Sequence, residues 1–374
     1  MANPAPPNTP AQALRVILHR NAVERATLTA DQQHDERPQQ AQQRRTVTFY
    51  DHVVHVFYGD DEEAMLNDLA FNRLFFESVL NLVDSVPLQR RGRTGFVHTH
   101  KDKLLFLIIF LKEGTEALKK VCLHALTEPS SITRNLEHAI TAFKDVIVRN
   151  TVEFKNEQFE ELPMVSSVID CTVVEISGPA VPFNKKDCYY SGKHKRHCLK
   201  KEVIVNIRSG TAAMISAEYP GCVPDIEIMK RHPEEVNQML GVTRVLADKG
   251  YRGDPRVPIL VVVSHTNEVE TRARLIVERF FGRLKNSFIV FKRTWELSWM
   301  RFSDYFDVAC GLTNILITIA PLNFDDWRFN KEVFDRWAEQ VSQRAARNKE
   351  KYERKKTARL YQQNLVSTMV NELL

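Results

Sequence analysis

The sequence lacks paired cysteines and long apolar runs. Its six cysteines stand at positions 122, 171, 188, 198, 222 and 310, and no two of them form a Cys-x-x-Cys pair. This scatter argues against a zinc ribbon or a disulfide framework and favours a reducing compartment. The longest apolar run, Leu104 to Leu111, is much shorter than the roughly 20 residues that a membrane-spanning helix needs, and the first residues show no secretory signal pattern. We therefore expect no membrane span.

Charge of one sign is not in large excess either. The chain has 52 lysines and arginines against 47 acidic residues, a net charge of +5. This mildly basic balance is compatible with binding nucleic acid but does not by itself identify it. Hydrophobic residues make up 43% of the 374 residues, enough to build one large or two ordinary domains with a sizeable core.

Both ends of the chain differ in composition from its middle. Residues 1–45 contain Pro4-Ala-Pro-Pro7 and a Gln-rich tract around Gln39, with few aromatics, and are predicted to be a disordered tail. Residues 330–374 are predicted to form a basic, highly charged helix. Such a helix is either solvated or in contact with nucleic acid, and it could also act as a nuclear-localisation patch.

Helical periodicity dominates residues 60–150. Three short helices are predicted in its second half, at 100–111, 115–126 and 132–148. This arrangement is typical of a helix-turn-helix, but an ordinary helical bundle without DNA contact fits it as well. In the first interpretation the start of the third helix faces DNA through Ser131, Thr133, Arg134 and Asn135.

Strands and helices alternate in residues 160–322. Three strands are predicted first, at 166–176, 201–208 and 212–218. A helix at 224–240, strands at 243–247 and 257–263, and helices at 268–292 and 303–319 follow. This order predicts an α/β fold with a ribonuclease-H-like mixed sheet flanked by helices. The first three strands would form an antiparallel meander, and the later strands would be added across helical connections.

Four acids occupy distinctive places in this predicted fold. Asp170 lies in the first strand, Asp225 opens the helix after the third strand, Asp248 ends the fourth strand, and Glu278 lies on a late helix. A ribonuclease-H-like sheet brings such positions to one edge. Carboxylates there can bind Mg²⁺ or Mn²⁺, and two such ions about 4 Å apart can act on both oxygens of a phosphodiester. For any one of these acids alone, a turn or helix cap is the usual explanation.

Basic residues accompany the acids. Arg274 and Lys285 lie on the helical face of Glu278, where they could neutralise phosphates, although Arg274 could instead form an ion pair with Glu278 within the helix. The segment 189–200 mixes aromatic and cationic side chains, which suits nucleic acid. Its candidates for phosphate contact are Lys193, Lys195 and Arg196, while His194 and His197 lack the cysteine partners of a zinc site.

Five short motifs resemble the DDE endonuclease domain of Harbinger-type and related insertion-sequence transposases. They are Ile169-Asp-Cys-Thr, Tyr190-Ser-Gly-Lys, Pro220-Gly-Cys-Val-Pro-Asp225-Ile, Leu246-Ala-Asp-Lys-Gly-Tyr251 and Val277-Glu-Arg-Phe-Phe-Gly-Arg-Leu-Lys285. The resemblance implies an enzyme that uses a divalent cation to cleave DNA and transfer strands. It implies Asp170, Asp248 and Glu278 as the triad and Asp225 as a further metal ligand. Which aspartate is the second member of the triad stays open.

The resemblance also has departures and implied partners. Thr271 replaces the tyrosine of a related signature, and Cys171 stands where a glycine is frequent. Double-stranded DNA, a second DNA-binding subunit and a homo-oligomer are the implied partners. The implied location is nuclear in a eukaryote and otherwise cytoplasmic. Two alternatives remain: a domesticated transposase that binds DNA or acts as a scaffold without cleavage, and a nuclease for RNA or hybrids.

Overall fold

A computed structural model describes residues 48–88, 99–124, 129–158, 162–177, 187–252, 256, 259–261, 268–322 and 354. The chain divides into one unit of residues 1–322 and another of residues 323–374, and all elements named here belong to the first. The predicted N-terminal tail lies outside the described residues, as does the predicted C-terminal helix apart from Arg354.

Six helices precede the sheet in the described chain. They are α1 Phe49–Tyr58, α2 Glu62–Leu69, α3 Arg73–Val83, α4 His100–Glu113, α5 Thr115–His124 and α6 Pro129–Thr151. Polar side chains satisfy the free backbone N–H groups at four of their starts, namely Thr48, Asp61, Asn72 and Thr99. Helix α1 precedes the predicted helical region. The amphipathic pattern of α1 is short and directly follows a polar segment, so the sequence does not indicate where the helix begins.

The sheet contains β1 Val165–Glu175, β2 Tyr190–Ser191, β3 Arg196–Asn206, β4 Ala212–Pro220, β5 Arg244–Ala247 and β6 Ile259–Val261. Strand β3 pairs antiparallel with β1, β2 and β4, whereas β5 pairs parallel with β1 and with β6. The main strands therefore run in the order β4-β3-β1-β5-β6. This is the predicted ribonuclease-H-like arrangement, with α7 Asp225–Met229, α8 Pro233–Leu240, α9 Glu268–Ser287 and α10 Phe302–Ile319 as its helices.

Three predicted elements differ from the structure. The helix predicted over 268–292 ends at Ser287 and is followed by a short 3-10 turn, Ile289–Phe291. The helix predicted over 224–240 is interrupted between α7 and α8, because a residue before proline is disfavoured in the helical conformation and His232 has φ −139°. Strand β3 begins at Arg196 rather than at 201. The cationic residues at its start conceal a strand whose Cys198 and Leu199 are buried.

The helices before the sheet share one hydrophobic core with it. This core extends from Phe49 on α1 to Ile317 on α10 and includes Val203 and Val205 on β3. A close helix contact joins α6 and α10, where a carbon atom added at Gly311 would lie 2.5 Å from Thr151 Oγ1. None of the described helices has the length and apolar character needed to cross a bilayer.

The three helices predicted as a helix-turn-helix correspond to α4, α5 and α6. Residues 102–111 of α4 are all buried, so this helix lies inside the core. The expectation that Asn135 faces DNA is wrong, because its side chain is buried against the core. Thr133 and Arg134, two residues and one residue earlier on α6, are exposed. DNA contact through α6 therefore stays a prediction that rests on these exposed residues.

Candidate active site

Strand pairing places two of the four predicted acids side by side. In the parallel pair of β1 and β5, Val168 lies opposite Leu246. Asp170 and Asp248 each follow two residues later. Because side chains alternate between the two faces of a sheet, both aspartates lie on the same face. The Asp248 side chain accepts a hydrogen bond of 2.7 Å from the Gly250 N–H and so caps the short turn that follows β5.

Asp225 approaches the same point from α7. A carbon atom added at Gly250 would lie 2.9 Å from Asp248 Oδ1 and 3.6 Å from Asp225 Oδ2. The absence of a side chain at Gly250 therefore leaves room for two carboxylates to face each other. Asp225 is the first residue of α7, which follows Pro224 with its fixed φ of −62°.

Electrostatic interactions connect Asp170 with the other two aspartates. Burial raises the pKa of Asp170 to about 7, and the charges of Asp248 and Asp225 contribute to this increase. The Cys171 N–H, which donates to Asp170 Oδ1 across 2.7 Å, and the nearby Arg274 guanidinium both lower the pKa. A carboxyl with this pKa is a strong candidate for a functional group, because its ionised form needs a compensating positive charge.

Basic side chains hold the other two acids. Lys200 Nζ donates to Asp225 Oδ1 across 2.8 Å, and Arg274 donates to Glu278 Oε1 across 2.6 Å. Glu278 lies one turn beyond Arg274 on α9, and its side chain is 38% exposed. The ion pair within the helix, considered above as an alternative for Arg274, is therefore present in the structure. Arg274 also connects Glu278 electrostatically with Asp170.

The donor set suits a hard divalent cation. Asp170, Asp225, Asp248 and Glu278 offer carboxylate oxygens, the ligands that Mg²⁺ and Mn²⁺ prefer. A cation at this edge would also compensate the negative charge that raises the pKa of Asp170. Within the part of the chain that the structure describes, however, no three acidic, histidine or cysteine side chains are drawn together closely enough to hold a metal.

Comparison with known proteins identifies this region. Residues 169–314 match the family model described as DDE superfamily endonuclease. The chain contains a DDE superfamily endonuclease domain. The match confirms the predicted DDE transposase-type domain and is compatible with the Harbinger subtype. No curated protein and no solved structure matched the chain.

Cationic side chains surround His194 in the endonuclease domain. Burial and nearby positive charges lower the pKa of His194, and these charges belong to Lys193, Lys200, Arg196 and Lys285. Lysines 193 and 195 are exposed in the turn between β2 and β3. Arg196 is also exposed, and it forms a salt bridge of 2.9 Å with Glu175. Lys193, Lys195 and Arg196, all predicted to bind DNA, are therefore exposed as one positive surface at the β2–β3 turn, and Arg134 is exposed separately on α6.

Lys285 differs from the exposed lysines of this surface. Its Nζ donates to the Val173 carbonyl of β1 across 2.8 Å, which fastens α9 to the sheet. Burial, together with the charge of Arg196, lowers the pKa of Lys285 to about 8. Of the predicted shared face of Arg274, Glu278 and Lys285, the last residue is therefore bound to β1 in the structure, and its contact with phosphate stays a prediction.

A buried polar network behind the aspartates was not found from the sequence. Glu202 on β3 is 1% exposed, and its Oε1 lies 2.8 Å from His232 Nε2. Cys171, which pairs with Glu202 across β1 and β3, has its sulfur 3.2 Å from the Tyr251 hydroxyl. Burial raises the pKa of Glu202, and its hydrogen bond and charge interaction with His232 lower it. The one signal for this network in the sequence is the acidic Glu202 directly before the apolar Val203-Ile-Val205.

Proposed function

We propose that the endonuclease domain is a metal-dependent DNA nuclease of transposase origin, which cuts phosphodiester bonds and can join DNA strands. The observation that carries this proposal is the matching position of Asp170 on β1 and Asp248 after β5, with Asp225 close to Asp248 at Gly250. A matching family model over residues 169–314 supports the nuclease class.

Asp170, Asp248, Asp225 and Glu278 would hold the divalent cations. Bound Mg²⁺ or Mn²⁺ would supply Lewis acidity to the attacking water or 3′-hydroxyl and to the departing oxygen. Asp170 must give up its proton for this role, since burial keeps the pKa of this group near 7. The strand register favours Asp248 as the second triad member, because Asp170 and Asp248 each follow by two residues the paired Val168 and Leu246.

Lys200 and Arg274 serve as internal counter-ions in this proposal. They neutralise Asp225 and Glu278 while those carboxylates are not engaged elsewhere. Lys200 would have to release or share Asp225, and Arg274 would have to release or share Glu278, when the acids bind a cation. The exposed cations Lys193, Lys195 and Arg196 would contact the phosphates of double-stranded DNA beside the site. Arg134 on α6 would provide a separate contact.

Nicking of supercoiled plasmid in Mg²⁺ or Mn²⁺ tests the proposal. We expect Asp170→Asn, Asp248→Asn and Glu278→Gln to abolish nicking and to leave DNA binding intact in a mobility-shift assay. Glu227→Gln is the matched control, because Glu227 lies on the same helix as Asp225 but is paired with Lys230 at the surface. Metal-dependent nicking by Asp170→Asn at the wild-type rate would contradict the proposal.

A domesticated transposase that binds DNA without cutting it is the second candidate. The observation in its favour is that Asp225 and Glu278 form salt bridges with Lys200 and Arg274. Calorimetric titration with Mn²⁺ separates the candidates: heat of binding that disappears in Asp170→Asn supports the nuclease, and no heat in the wild type supports the binding protein. Cleavage of duplex DNA, hybrid and RNA should be compared in parallel, with duplex DNA as the expected substrate.

The assembly and location belong to the same proposal. Cleavage at two ends of an element requires two active sites, so we propose a homo-oligomer that acts with a second DNA-binding subunit. In a eukaryote it would act in the nucleus. Light scattering of the protein with and without DNA ends tests the homo-oligomer. Co-purification tests the second DNA-binding subunit.

A further inference from the structure

Two exposed cysteines meet beside the turn that leads to Asp225. Cys188 lies in the short helical turn Asp187–Tyr189, and Cys222 lies in the turn after β4. The Cys222 N–H donates to the Cys188 carbonyl across 3.0 Å. Burial raises the pKa of the Cys222 thiol, and the neighbouring Cys188 adds to this increase. Both residues are exposed and have free thiols. A backbone hydrogen bond therefore holds this pair together.

The segments that carry these cysteines touch at their backbones. A carbon atom added at Gly221 would lie 2.6 Å from the Tyr189 carbonyl oxygen and 2.6 Å from Cys198 Sγ. Only a residue without a side chain permits this approach. A disulfide requires Cα atoms within about 7 Å of each other, and the 3.0 Å hydrogen bond from Cys222 N to the Cys188 carbonyl oxygen keeps the two Cα atoms within about this distance.

The position of Cys222 is coupled to the acid site. Lys200 Nζ donates to the carbonyl of Val223, the next residue, across 2.8 Å, and it donates equally closely to Asp225. The turn from Pro220 to Asp225 is thus held at both of its ends: by Lys200 near the acid and by the Cys188 carbonyl at Cys222. A covalent bond at Cys222 would act on the same short turn.

We propose that Cys188 and Cys222 form a redox-active dithiol that a peroxide or a small disulfide oxidises to a disulfide, restraining the turn before Asp225. With hydrogen peroxide, the two thiols lose two protons and two electrons to form one S–S bond, and the peroxide is reduced to two molecules of water. The effect of this bond on cleavage rests on the proposed function, whereas the thiol chemistry does not.

Peptide mass spectrometry of the full chain tests the dithiol directly. The protein is treated with hydrogen peroxide or oxidised glutathione, its remaining thiols are alkylated, and the digest is compared with and without dithiothreitol. We expect one joined peptide pair, containing Cys188 and Cys222, that is lighter by two hydrogens and disappears on reduction. Cys188→Ser and Cys222→Ser should each prevent it.

Cys198→Ala is the control for a different pairing, because Cys198 is buried and its sulfur lies close to Gly221. This variant should form the joined pair as the wild type does. A joined pair that contains Cys198, or oxidation confined to single sulfenic or sulfinic acids, would overturn the proposal.

Amide hydrogen exchange and plasmid nicking test the restraint. Oxidation should slow exchange at residues 221–225 and reduce the nicking rate several-fold, with recovery in dithiothreitol and no change in Cys188→Ser. Disulfide formation with unchanged exchange would show that the bond does not restrain the turn. If the reduced wild type does not nick DNA, the proposed function fails, while mass spectrometry and exchange still decide the fate of the dithiol.

Discussion

Lys200 and Asp225 form a salt bridge of 2.8 Å, and the same ammonium group holds the Val223 carbonyl at 2.8 Å. One side chain thus fixes both a metal-ligand candidate and the turn before it. A cation that binds at Asp225 must compete with this lysine. The salt bridge and the hydrogen bond of Lys200 therefore stabilise the metal-free protein.

Replacing this lysine should therefore increase the stabilisation that a metal provides. Lys200→Met removes charge-assisted hydrogen bonds worth roughly 1.5–3 kcal/mol of unfolding free energy. We expect the thermal midpoint to fall without metal and to rise more on adding Mn²⁺ than in the wild type, by differential scanning fluorimetry. Lys230→Met removes an exposed salt bridge and is the control. Equal metal-induced shifts in all three proteins would contradict the competition.

Asp170 should make the metal-free protein less stable as the pH rises. Its folded-state pKa of about 7 exceeds the ordinary value of 3.8, so the unfolded chain ionises first and stability falls between these two values. The decrease should be on the order of a few kcal/mol. Asp170→Asn removes this contribution.

Urea unfolding at about pH 4 and about pH 8 measures the effect. The variant should gain stability relative to the wild type at the higher pH and match it at the lower one. The wild type should also bind Mn²⁺ more tightly as the pH passes through about 7, since only the ionised carboxylate binds metal. A constant stability difference across this range would exclude the buried, protonated Asp170.

His232 should matter more for stability than its place in a surface turn implies. His232→Ala leaves the buried Glu202 carboxyl without this hydrogen-bond partner and should cost roughly 1–3 kcal/mol. Glu202→Gln keeps a hydrogen-bonding group and should cost less. Urea unfolding checks the order, with the exposed Glu235→Gln as the control. An effect of His232→Ala as small as that of the control would be evidence against the pair.

Two glycines on helices should respond in opposite directions to alanine. A carbon atom at Gly311 would lie 2.5 Å from Thr151 Oγ1 and 2.8 Å from Ile147 Cγ2, so Gly311→Ala should destabilise the fold by roughly 1–3 kcal/mol. Among the described residues, nothing lies within 4 Å of the same atom at Gly282, so Gly282→Ala should be neutral or stabilise by up to about 1 kcal/mol. Thermal unfolding distinguishes the two, and equal effects would refute the close crossing of α6 and α10.

The exposed lysines of the β2–β3 turn should set the salt dependence of DNA binding. Replacing Lys193 and Lys195 with alanine should reduce the slope of log affinity against log salt by about 1 for each phosphate that the protein no longer neutralises. Fluorescence anisotropy on duplex DNA at several salt concentrations measures this slope. Lys119→Ala, which replaces a lysine on α5 paired with Glu116, is the control. An unchanged slope in the double variant would place the phosphates elsewhere.

Much of the sheet could be predicted because its signals are local. Apolar strand patterns and the order of elements sufficed for the ribonuclease-H-like topology, and Asp170 and Asp248 were identifiable because each ends or lies in an apolar run. The interruption of the helix predicted over 224–240 also has a local signal, because Pro233 disfavours the helical conformation of His232.

The contacts between distant segments could not be predicted in the same way. The partnership of Glu202 with His232 depends on which face of β3 meets α8, and the meeting of Cys188 and Cys222 depends on the path of two turns. Neither has a periodic signature. The burial of Asn135 has the same origin, because the face that α6 turns inwards is decided by its packing partners.

The common core of the upstream helices and the sheet has a consequence for how such a gene can evolve. A coding region shortened to begin at β1 would remove α4 and α6, and the apolar face of α10 that packs against α6 would be exposed and favour aggregation. We therefore expect a gene that keeps the sheet to keep the coding region of these upstream helices as well.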